Sequence, residues 1–117
     1  MGKLTTHVLD TANGMPGRNI KIDLFKVSEG MRTLLKSTHT NEDGRCDAPL
    51  LEDAEMASGQ YELVFHTGPY FETMSVVLPE PKFLDDIILR FGVSNADDHY
   101  HVPLLVSPYG YSTYRGS

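Results

Sequence analysis

Apolar residues in this chain recur at every second position. Ile20-Lys21-Ile22-Asp23-Leu24 is the clearest case, and the pattern returns in Gln60 to His66, Asp86 to Phe91 and His99 to Val106. A period of two places alternate side chains on opposite faces of an extended strand, whereas a helix needs a period near 3.6. Tyr61, Leu63 and Phe65 then share one face, as do Ile87, Leu89 and Phe91, and Tyr100, Val102, Leu104 and Val106. Leu4 to Leu9 and Met31 to Thr38 supply further strands. Between them lie turn signals: Asn13-Gly14, Pro16-Gly17, Ser28-Glu29-Gly30, Asp43-Gly44, Ser58-Gly59 and Ser107-Pro108-Tyr109-Gly110. Short strands spaced roughly ten residues apart predict an antiparallel β-sandwich of seven or eight strands. Gly68 to Met74 predicts one or two helical turns with Pro69 at the first helical position, and Pro79 and Pro81 end regular structure beyond it.

At 117 residues the chain predicts one domain, 1–117, large enough to bury a single core without staples. A formal charge of -6 argues against nucleic acid or an anionic membrane surface as partner. One cysteine, Cys46, cannot form an internal disulfide, so nothing points to an oxidising compartment. No segment has the apolar length of a membrane span, and the first residues lack the apolar stretch of a secretion signal. The expectation is an intracellular, soluble, cytoplasmic protein.

The chemistry concentrates at the end of the chain. Tyr109-Gly110-Tyr111-Ser112-Thr113-Tyr114-Arg115-Gly116-Ser117 alternates aromatic and hydroxyl residues before a guanidinium, a glycine and a serine. Ordinary tails fray because their contacts do not offset the entropy lost on ordering. Such a density of hydrogen-bonding groups acts only if the tail is pinned. Upstream, His99 and His101 share the strand face opposite the apolar one, where paired imidazoles serve as zinc ligands, general bases or solvated residues. His7 lies mid-strand and Arg45 follows the Asp43-Gly44 turn, and each has an ordinary structural reading as well as a functional one. His39 and His66 carry no assignment. There is no Gly-x-Ser-x-Gly elbow, and Gly14-Met15-Pro16-Gly17 lacks the lysine of a phosphate loop.

Four stretches in order resemble one family: His7-Val8-Leu9-Asp10, Asp43-Gly44-Arg45, Tyr100-His101-Val102-Pro103-Leu104-Leu105 and Tyr114-Arg115-Gly116-Ser117. They are similar to the 5-hydroxyisourate hydrolases, the transthyretin-related enzymes of urate breakdown. The resemblance implies an all-β, transthyretin-like sandwich of two four-stranded sheets with one short helix after the fifth strand. It implies a homotetramer, a dimer of dimers, with sites in the channel between dimers. It also implies hydrolytic ring opening of 5-hydroxyisourate to 2-oxo-4-hydroxy-4-carboxy-5-ureidoimidazoline without metal or organic cofactor. Carried over residue by residue, His7, His101 and Ser117 are expected to be catalytic, and His7, Arg45, Tyr114 and Arg115 to bind substrate. An imidazole removes a proton from water near neutral pH, and a guanidinium offers paired donors to a carbonyl-rich ring. Two rivals stand beside this reading. One is a non-catalytic small-ligand carrier of the transthyretin type. The other is a metal-binding domain using His7, His99 and His101.

Overall fold

A computed structural model of the chain describes residues 1–74 and 77–116. Among the described residues, nine strands, one 3-10 turn and one α-helix follow in order: β1 (Lys3–Asp10), β2 (Met15–Pro16), β3 (Lys21–Ser28), β4 (Met31–His39), β5 (Leu51–Glu52), the 3-10 turn Asp53–Glu55, β6 (Gly59–His66), α1 (Thr67–Thr73), β7 (Asp86–Val93), β8 (His99–Ser107) and β9 (Gly110–Ser112). They form two sheets. One runs β4-β3-β6-β7; the other runs β2-β1-β8-β9, with β5 added on β1. The expected two-sheet sandwich with a single short helix is present. The second sheet gains a fifth strand because Leu51 and Glu52 pair with Leu4 and Lys3.

Alternation explains the core. In β1, Leu4 and Val8 are fully buried while Thr5, His7 and Leu9 on the other face are only partly covered. Ile22 and Leu24 of β3, Leu63 and Phe65 of β6, Ile87 of β7, and Leu104 and Val106 of β8 meet between the sheets at 1% exposure or less. Each such side chain contributes about 1.5–3 kcal/mol by leaving water. Phe91, on the same face as Ile87 and Leu89, is only partly buried at the margin of this core. The edge strand β4 packs on one side only and stays largely exposed.

Two features depart from the antiparallel, Pro69-led expectation. β1 and β8 run parallel over eight residue pairs, from Lys3 opposite His99 to Asp10 opposite Val106. Strands from the two ends of a chain are joined by no hairpin, so nothing local forces them antiparallel. Helix α1 begins at Thr67, which makes Pro69 its third residue. The start moves back because the Thr67 hydroxyl and the Gly68 N–H both donate to the carbonyl of Asp85, at 2.8 and 3.1 Å. A proline anywhere in the first turn forfeits no intrahelical bond.

A buried carboxylate ties the helix to the second sheet. Asp10, 1% exposed, accepts from the N–H groups of Ala12 and Asn13, the Asn13 side-chain amide and the Tyr70 hydroxyl at 2.7 Å. Among the described residues, no helix is long and apolar enough to cross a membrane.

Candidate active site

The parallel register builds the site. Thr5 lies opposite His101 and His7 opposite Pro103, so Thr5, His7 and His101 share the sheet face turned away from the core. Thr5 and His101 are bonded directly, Oγ1 to Nδ1 at 2.9 Å, across 96 residues of sequence. His7 and His101 are diagonal neighbours on this surface.

Arg45 reaches the same face from the turn after β4. Its backbone bridges to His7 in an isolated antiparallel contact, and Gly44 accepts a hydrogen bond from the N–H of Val8 at 2.8 Å. Gly44 has φ +76°, and a Cβ there would collide with the Val8 carbonyl, so the position accepts only glycine. Asn41 knits the turn: its side-chain oxygen accepts from the N–H groups of Asp43 and Arg45, and its own N–H donates to the Arg45 carbonyl at 2.6 Å. The carbonyl of Asp43 accepts from His7 Nε2 at 3.0 Å. A carbonyl oxygen cannot donate, so His7 carries a proton on Nε2 and turns Nδ1 outward.

The tail closes the other side. β9 pairs with β8 only as far as Leu105, which leaves the β8 backbone from His99 to Leu104 open along that edge. The tail covers it. The Thr113 hydroxyl donates to the carbonyl of Pro103 at 2.7 Å, and Gly116 bridges His101, its N–H donating to the His101 carbonyl at 2.7 Å. The pinned terminus expected from composition is therefore present through Gly116. Ser117 lies outside the described residues. A Cβ on Gly116 would sit 2.7 Å from Cδ2 of His101 and 3.2 Å from its Cβ. Gly116→Ala is accordingly expected to push the imidazole out of position, lowering turnover by about 10–100-fold with little change in Tm. Steady-state rates and calorimetry on the same preparation check both halves.

Burial first, and then the charges of Arg45 and His7, hold the His101 imidazole below its ordinary pKa. The ring is neutral at neutral pH in consequence, which is the form that accepts a proton. Beside this row, Thr5, Arg45 and Cys46 border a cleft of about 190 Å³. A wider open hollow is lined by Asp98, His99, Tyr114, Arg115 and Gly116. Tyr114 is 60% exposed there. The Arg115 guanidinium stacks 4.1 Å from the Tyr100 ring centroid and donates to the His99 carbonyl at 3.0 Å, with Asp98 3.9 Å away. Among the described residues, no group of three His, Cys, Asp or Glu side chains is placed to hold a metal ion, so His7, His99 and His101 are not gathered as a ligand set.

Thr5 and Asn41 carry no functional signal in the sequence. Thr5 sits in a β-branched run that strand propensity alone explains, and Asn41 reads as an ordinary turn residue. Only the fold shows what their polar atoms touch.

Residues 4–116 match the sequence model of the HIUase/Transthyretin family. The chain belongs to this family. A 5-hydroxyisourate hydrolase 2 from Rhizobium meliloti is 60% identical to this member over 116 residues, covering 99% of this chain and 97% of its own. A 5-hydroxyisourate hydrolase from Pseudomonas aeruginosa is 58% identical, covering 100% of this chain and 93% of its own. Among solved structures, that of an (S)-allantoin synthase superposes on this family member with a TM-score of 0.94 at 50% identity. The match covers 99% of this chain and 44% of that longer one.

Proposed function

We propose that this protein hydrolyses 5-hydroxyisourate, opening the six-membered ring by attack of water. The observation that carries the reading is the meeting of His7, Arg45 and His101 on one sheet face, in a chain 60% identical to a hydrolase of that name. His101 serves as the general base. Nδ1–H donates to Thr5, Nε2 presents its lone pair to the attacking water, and the lowered pKa keeps that lone pair available. Arg45 stabilises the oxyanion that forms as water adds to the ring carbonyl. His7, its Nε2–H committed to the Asp43 carbonyl, acts as the acid in its doubly protonated form: its Nδ1 proton passes to the departing ring nitrogen and is restored by the proton that His101 took from water. Tyr114 and Arg115 complete the binding surface from the open hollow, and Ser117 assists the acid–base pair by orienting water.

The working assembly in this proposal is a homotetramer, a dimer of dimers, in which the β1–β8 faces of two chains enclose the site. Its support is the family's character and the openness of the site in one chain: Arg45 is exposed and His7 and His101 are half-covered. Light scattering should return four times the 13.1 kDa chain mass. A cytoplasmic location belongs to the same proposal. A ligand carrier would leave the Thr5–His101 bond and the Asn41-built presentation of Arg45 without a use.

The decisive assay oxidises urate in situ and follows the absorbance of 5-hydroxyisourate with and without the protein. Decay faster than the unaided reaction, in proportion to added protein, is expected. Decay curves that superimpose at every protein concentration would refute the activity.

A further inference from the structure

A second cleft, of about 410 Å³, lies at one end of the sandwich and is unrelated to the imidazole row. One wall is cationic. Arg18 comes from the link between β2 and β3, Lys21 opens β3, and His39 closes β4. Helix α1 contributes Pro69, Tyr70 and Thr73 to the lining. His66 lies at the floor, but its two ring nitrogens are already committed to Asp23 and Asp86, at 2.9 and 3.0 Å.

The cationic wall has few direct counter-charges; the charge of Lys21 is felt by Asp23 but forms no ion pair with it. Lys21 and His39 stand directly opposite each other in the β3–β4 ladder, an arrangement that costs stability whenever both are charged. Among the described residues neither has a carboxylate partner within 4.0 Å. Among the described residues, the one carboxylate paired with Arg18 is Glu42, at 3.6 Å, and that glutamate side chain is 88% exposed. Asp23, the nearby carboxylate that could serve Lys21, is taken by the Ser37 hydroxyl at 2.6 Å and by His66. In a chain of net charge -6, a guanidinium, an ammonium and an imidazole thus line a hollow with no carboxylate among its lining residues.

We propose that this cleft is a second binding site, for a small organic anion whose carboxylate or phosphate meets Arg18, Lys21 and His39 while its flat apolar body lies against Pro69 and Tyr70. The two walls supply the two halves of such a ligand. A guanidinium and an ammonium grip an oxyanion, and the proline and tyrosine rings cover an apolar face. The residues involved are separate from those assigned to hydrolysis, so occupancy does not require turnover.

The test uses the intact protein and three probes of one shape: benzoate, phenyl phosphate and the neutral benzamide. Ring signals of His39 and His66 in NMR spectra report occupancy. Saturable shifts with benzoate, phenyl phosphate or both, and none with benzamide, are expected; which of the two binds tighter identifies the preferred head group. Arg18→Ala with Lys21→Gln should weaken binding by about tenfold or more. The same double variant should hydrolyse 5-hydroxyisourate at the wild-type rate, which separates this site from the other. Absence of saturable shifts with both anions, equal shifts with benzamide, or unchanged affinity in the folded double variant would overturn the proposal.

Discussion

Replacing His101 by Asn is expected to lower kcat by about 10²–10⁴-fold, the usual yield of a positioned general base. Asparagine keeps the approximate shape and can still bond to Thr5, so the sheet and the tail bridge at Gly116 should persist. Stopped-flow rates on 5-hydroxyisourate measure the loss, and circular dichroism verifies the fold. A rate within threefold of wild type would remove His101 from the chemistry.

The same variant carries a stability signature with a definite sign. The folded pKa of His101 is depressed, so between that value and the ordinary imidazole value of about 6.5 the unfolded chain binds more protons than the folded one. Wild type therefore loses stability as pH falls below about 6.5, and the asparagine variant lacks this contribution. The Tm difference between them should move in favour of the variant on acidification.

Arg45 is expected to matter twice. Loss of an oxyanion donor costs about 10²–10³-fold in kcat, so Arg45→Gln should fall in that range. Its positive charge also helps hold down the His101 pKa, second to burial. Removing it should therefore move the acid limb of the kcat/KM profile to higher pH. Arg45→Lys separates the two effects. An ammonium retains the charge and should leave the acid limb near its wild-type position, but it lacks the planar fork and should restore only part of the rate. An acid limb that stays fixed in both variants would show that Arg45 does not act on His101 electrostatically.

Much of this architecture is legible in the sequence because its signals are local. The alternation in β3, β6 and β8 marks which side chains face the core, and the glycine-rich turns mark where strands end. The tail's composition predicts that it is pinned, and Gly116 is indeed stitched to His101. Partner choice is another matter. Nothing in Leu4 to Leu9 says that it lies parallel to His99 to Val106, and that register alone sets Thr5 against His101. The direction of a long side chain is equally silent. Arg115 has the chemistry of a substrate contact, and only the fold shows that its guanidinium stacks on Tyr100 beside Asp98. The place of Pro69 is hidden for a similar reason: Asp85, sixteen residues further on, draws the helix start back to Thr67.

The parallel pairing of β1 with β8 also dictates when competence can arise during synthesis. The threonine and the imidazole that it joins are 96 positions apart, so a ribosome-bound chain holding the first seven strands has half of the machinery and no surface on which to complete it. Until β8 emerges, β1 presents an unsatisfied backbone edge along its full length, the condition under which nascent chains seek the wrong neighbour. Premature termination anywhere before β8 thus yields a product that is both inert and adhesive, and quality control has reason to remove it early.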